Sequence, residues 1–90
     1  AKVGELKITG FNITFENGLS TVVATVTNES NEKIDLTSLS LLLYDKDNKL
    51  IIETIGNIGD SINPGESKQF NTLITKDVRN TEKVEYKINK

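Results

Sequence analysis

The chain has no cysteine, no histidine, no methionine and no tryptophan, a single proline (Pro64) and a single arginine (Arg79). Each absence excludes something. Without cysteine there is no disulfide framework and no thiolate nucleophile. Without histidine the commonest general base and the commonest transition-metal ligand are missing. A chain with no methionine, even at position 1, is expected to begin inside a longer or processed protein. Charge of one sign is also lacking: the net charge is −2, with lysines and acids scattered through both halves. No basic stripe exists to meet a phosphate backbone, so nucleic acid is not an expected partner. The longest apolar run is Leu41-Leu42-Leu43-Tyr44, far short of a bilayer span, and no basic amphipathic helix is legible. This segment is therefore not expected to insert into a membrane.

What is there is alternation. Ninety residues make one domain, with 36% hydrophobic and 27% charged residues, the balance of a globular chain with one modest core. Leu6 and Ile8 share one face. After Gly10 the phase slips, so that Phe11, Ile13 and Phe15 turn inward, as at a β-bulge or a sheet-switching kink. Asn17-Gly18 is the strongest short hairpin signal, because both central residues of a type I′ turn need positive φ. Val22, Ala24 and Val26 then point inward between outward threonines. Leu39, Leu41 and Leu43 alternate with Ser38 and Ser40, and Leu42 with Tyr44 makes the far face partly apolar, which predicts a central or covered strand.

Asp45-Lys46-Asp47-Asn48 is a turn cluster, and Leu50-Ile51-Ile52 begins a return strand that fades by Ile55-Gly56-Asn57. Asn63-Pro64-Gly65-Glu66 fits a type II turn, with Pro presetting φ and Gly supplying positive φ. Phe70, Thr72 and Ile74 alternate next. Lys76 to Lys83 reads as a loop with room for one helical turn, and Val84, Tyr86 and Ile88 alternate to the end. About seven strands with turn signals every ten residues or so predict an all-β, immunoglobulin-like antiparallel β-sandwich over residues 1–90.

The chemistry on offer is thin. Asp45, Asp47, Glu53, Asp60 and Glu66 are the acids with which a carboxylate hydrolase would have to work, but they fall in turns or on solvent faces, where acids serve local hydrogen bonds. Asp45-x-Asp47-x-Lys49 opens like a calcium loop, yet Lys49 stands where an oxygen ligand is needed and no closing acid is in place. No GxSxG elbow or phosphate-cradling loop occurs. Asn12-Ile13-Thr14 and Asn28-Glu29-Ser30 match the glycosylation sequon, as expected by chance in an Asn-rich chain. Tyr44 reads as a core residue with its hydroxyl at the rim in preference to a ligand-stacking ring. Glycan sites display exposed aromatics, whereas four of the five aromatics here, Phe11, Phe15, Phe70 and Tyr86, fall on inward positions. The residues therefore nominate no catalytic, cofactor-binding or metal-ligating set, and no cofactor.

The run Val22 to Glu66 resembles the FxLYD-type domains of bacterial, mainly Gram-positive, envelope proteins. The matching pieces are Val26-Thr27-Asn28-Glu29-Ser30, Leu41-Leu42-Leu43-Tyr44-Asp45 with Lys46-Asp47-Asn48, and Ile62-Asn63-Pro64-Gly65-Glu66 followed by Phe70. Position 41 is Leu where that family has Phe. Ile8-Thr9-Gly10-Phe11 and Ser38-Leu39-Ser40-Leu41 are similar to segments of the SLAP domain of Gram-positive surface proteins. Neither family brings catalytic residues to carry over. The resemblance implies an extracellular or cell-envelope setting, lipid-anchored or secreted, and a non-catalytic spacer or interaction domain that meets a protein partner or neighbouring domains. The alternative is a ligand-binding domain for cell-wall glycan or calcium.

Overall fold

The structure is a computed structural model and describes residues 2–90. Among the described residues nine strands are present: β1 Lys2–Val3, β2 Leu6–Glu16, β3 Leu19–Asn28, β4 Ile34–Asp35, β5 Ser38–Tyr44, β6 Leu50–Asn57, β7 Ser61–Ile62, β8 Ser67–Ile74 and β9 Lys83–Asn89. All pairings are antiparallel and fall into sheets of order β1-β2-β3-β8 and β6-β5-β9, with a short β4-β7 pair beside them. The chain is an all-β sandwich of the immunoglobulin-like kind. The count exceeds the expected seven because β1, β4 and β7 are two-residue pairings, too short to carry a period in the sequence.

The local signals explain the long strands. Asn17 and Gly18 have φ of +54° and +79° and close the β2-β3 hairpin as a type I′ turn requires. The β2-β3 register shifts by one residue between Thr9 and Asn12, with Gly10 at φ +67°. That bulge keeps Leu6 and Ile8 on the same side as Phe11 and Ile13. At the other turn Gly65 has φ +76° and the Glu66 amide donates to the Asn63 carbonyl at 2.9 Å.

The core lies between the two sheets. Val22, Ala24, Val26 and Phe70 of one face Leu39, Leu41 and Leu43 of the other, all buried. The β5 strand is central, as its two-faced apolarity predicts. Ser38 and Ser40 are buried too, on the opposite face, where the Asn89 side-chain amide donates to both hydroxyls at 3.1 and 2.9 Å.

The structure departs from the sequence reading at β6 and at two buried loop residues. The β6 strand does not fade but runs through Gly56 to Asn57, because Gly56 leaves room for the Phe70 ring; a Cβ there would lie 2.3 Å from it. The sandwich is closed on that side, and the Thr54 and Thr72 hydroxyls meet at 3.3 Å. The segment between β8 and β9 holds no helix; a single turn is closed by the Thr81 amide on the Val78 carbonyl at 3.1 Å. Val78 in that polar segment is fully buried, and so is Leu36 beside β4.

Candidate functional site

Of the acids singled out in the sequence, Asp45 and Asp47 share one surface hollow, while Glu53, Asp60 and Glu66 lie outside it. Asp45 works on its own turn: its Oδ1 accepts from the amides of Asp47 and Lys49 at 2.9 and 3.0 Å, while Asn48 takes φ +62°. Glu66 does the same at the Pro64-Gly65 turn, accepting from the Asn63 amide at 2.8 Å. Glu53 lies on the outer face of β6 opposite Leu42, and Asp60 precedes β7. Among the described residues no group of three or more His, Cys, Asp or Glu side chains is placed to hold a metal ion.

Tyr44 corrects the reading of it as a core residue. Leu39, Leu41 and Leu43 occupy the inner face of β5, so Tyr44 is carried to the outer face, half-buried. Its hydroxyl donates to Glu85 Oε1 at 2.7 Å, and Lys83 Nζ lies 4.4 Å from the ring centroid while donating to Asn48 Oδ1 at 2.6 Å. This ladder ties β9 to β5 and to the Asp45 turn. The inward placement of the other aromatics is graded. Phe70 is buried, while Phe11 and Tyr86 pack half-buried against the core.

Two polar residues to which the sequence reading gave no structural role organise the loops. Asn28 is fully buried at the end of β3. Its Nδ2 donates to the carbonyls of Glu32 and Ile62 at 2.8 and 2.9 Å, and its Oδ1 accepts from the Ser30 amide and hydroxyl at 2.9 and 2.7 Å. Ser20, also fully buried, donates to the Lys76 carbonyl at 2.6 Å and accepts from the Val78 amide at 3.1 Å, which fastens the segment that plugs the core with Val78. A signal for both existed. Ser20 and Asn28 extend the inward phase of Val22, Ala24 and Val26 by one step at each end.

The surface hollows lie at the loop end that this segment shares with the Asp45 turn. One, of about 620 Å³ and open to solvent, is lined by Asp77, Arg79 and Asn80; another, of about 300 Å³, by Asp45, Lys46, Asp47, Asn80 and Glu82. Arg79 is occupied there. Its Nε and Nη2 donate to the two Asp77 carboxylate oxygens at 2.9 and 2.7 Å, and its guanidinium stands 4.8 Å over the Phe15 ring.

Those hydrogen bonds hold the Asp77 carboxyl below the usual range and the Arg79 guanidinium above its own. The hydrogen bond to Glu85, then burial, raises the Tyr44 hydroxyl; burial raises that of Tyr86. All four shifts lead away from neutrality, the opposite of the tuning that a general acid or base needs.

No family model matches the chain, and no curated protein matches it. Two solved structures share the fold. A crystal structure of a DUF1425 family member from Shewanella sp. pv-4 superposes with a TM-score of 0.61 at 11% identity, over 94% of this chain and 77% of that one. The X-ray structure of Northeast Structural Genomics Consortium target SoR45 superposes with a TM-score of 0.55 at 14% identity, over 96% of this chain and 83% of that one. At these identities the likeness concerns the fold alone.

Proposed function

We propose that this chain is a non-catalytic accessory domain, acting as a spacer or protein-interaction module of a bacterial cell-envelope or secreted protein. One observation carries the reading. Four polar side chains, Ser20, Asn28, Asp45 and Glu66, turn to the chain's own backbone and hold its loops. What stays open to a partner is surface: the solvent-facing strands and sheet edges. The FxLYD-type resemblance of Val22 to Glu66, made of the same core and turn residues, supports the envelope setting, and the fold shared with a domain of unknown function is compatible with it.

The test is genetic and enzymatic. Deleting residues 1–90 from the protein that carries them is expected to alter assembly or surface display and to leave the catalytic rate of any neighbouring domain intact. Turnover by the isolated domain against a panel of hydrolase substrates would overturn the reading.

A further inference from the structure

The sandwich has two sides, and they are finished differently. On the β6-β8 side the edges lean together, with Gly56 under the Phe70 ring, Thr54 against Thr72, and Lys76 Nζ donating to the Ile51 carbonyl at 3.3 Å. The β6 strand also carries a bulge, since its register with β5 skips Ile51 between Leu43 and Tyr44. On the other side β2 is covered at its start by β1 and bulged at Gly10. The β9 strand has neither device. It pairs with β5 in unbroken register from Lys83 to Asn89, and among the described residues no strand is hydrogen-bonded to its other flank; β1 of the facing sheet touches it only near its end, where the Gly4 Cβ position is 3.8 Å from Ile88 Cδ1. Its inward residues Val84, Tyr86 and Ile88 pack against the core but are only partly buried, whereas Leu39, Leu41 and Leu43 beside them are sealed. A regular edge of seven residues with no hydrogen-bonded neighbour is a template for one more strand.

We infer that the added strand is β9 of a second copy of this chain, paired antiparallel about a two-fold axis through Tyr86. The charge pattern selects the occupant and the register. Centred on Tyr86, the pairing sets Glu85 opposite Lys87 of the other copy and Lys87 opposite Glu85, two ion pairs on the outer face. On the inner face it sets Val84 opposite Ile88, Ile88 opposite Val84, and Tyr86 opposite itself, so each partly buried apolar residue gains an apolar neighbour. Centring on Glu85 would oppose Glu85 to Glu85 and Lys83 to Lys87. Centring on Lys87 would oppose Lys87 to itself. A slip of one residue would oppose inner to outer positions and mismatch the free backbone groups. In the Tyr86 register opposite residues share parity, so the residues whose N–H and C=O face the open flank meet one another.

Glu85 also accepts from the Tyr44 hydroxyl of its own β5 through Oε1. The product is a continuous six-stranded sheet, β6-β5-β9 joined to its own rotated copy, an isologous interface. This inference rests on the protein-interaction reading above and names the partner.

An edge contact of this size is a weak one, below about 1,200 Å² of buried surface, so the association is to be read at protein concentrations from ~20 μM to ~1 mM. Sedimentation equilibrium of the full chain is expected to show a monomer–dimer equilibrium. Amides of β9 should exchange more slowly as concentration rises, and those of β8 should not.

Two substitutions decide the register. Glu85→Lys alone, or Lys87→Glu alone, opposes like charges at both pairs, and each is expected to weaken self-association by about tenfold or more. A one-to-one mixture of the two variants opposes unlike charges at both pairs again, so the mixture should form a heterodimer at wild-type concentrations. Circular dichroism of each variant establishes that it folds. A wild-type chain that stays monomeric up to ~1 mM, about the weakest association an edge this small supports, overturns the second-copy inference and leaves the deletion test of the interaction reading unaffected. Variants that each dimerise like the wild type, or a mixture that stays monomeric, overturn it as well.

Discussion

Asn28 is where one side chain does the most. Four hydrogen bonds from a fully buried amide join the end of β3 to the Ser30–Glu32 turn and to Ile62 in β7. Asn28→Ala removes the buried amide's hydrogen bonds to the Ile62 carbonyl and to the Ser30–Glu32 turn, and urea unfolding is expected to show a loss of about 1 to 3 kcal/mol; a change within experimental error would mean that water takes the amide's place. The same burial removes the sequon at Asn28-Glu29-Ser30 from consideration in the folded chain, whereas Asn12 is exposed. Asp77 gives a pH signature. Its folded pKa is depressed by the hydrogen bonds from Arg79, so its contribution is present above the unfolded value of about 3.9 and is lost as pH falls through the lower folded value. Asp77→Asn should therefore lower the Tm at neutral pH, with the difference from wild type shrinking below about pH 4. A Tm difference that does not depend on pH would show that the pair contributes nothing through charge.

At the scale of elements, two glycines separate backbone strain from packing. Nothing lies within 4 Å of the Cβ position of Gly65, and only its φ of +76° resists a side chain. Gly65→Val is expected to cost about 1 to 2 kcal/mol, the penalty of a left-handed L-residue. Gly56 has no positive φ but sits under Phe70, with the ring 2.3 Å from the Cβ position. Gly56→Ala should cost about 1 to 3 kcal/mol through overpacking and should speed hydrogen exchange along β6, because the β6-β8 closure has to open. Equal protection of β6 in variant and wild type would show that the closure absorbs the methyl. The turn at Pro64-Gly65 was legible because type II geometry is a property of adjacent residues. The role of Gly56 was not, because its cause is a ring on another strand of the other sheet.

Across the whole molecule, the leucine face of β5 and the valine face of β3 make one core. Leu41→Ala is expected to cost about 2 to 5 kcal/mol, a large part of the 5 to 15 kcal/mol that holds a domain of this kind. Calcium provides a contrasting test. Asp45 Oδ1 already caps its own turn, so calcium at ~1 mM or above, the range of the weakest extracellular sites, should leave the Tm unchanged. An upward shift abolished by Asp45→Asn would favour the ligand-binding alternative. The alternation of inner and outer residues, the Gly10 bulge, the two tight turns and the all-β class were determined by the sequence alone, because a two-residue period and positive φ are properties of the local backbone. Tertiary structure decided which strands pair, that Tyr44 meets Glu85 and Lys83, that Val78 and Leu36 are core, and that among the described residues β9 has a hydrogen-bonded strand on one flank alone. Those depend on what the other sheet and the crossing loops cover, and a residue carries no local mark of its distant neighbours.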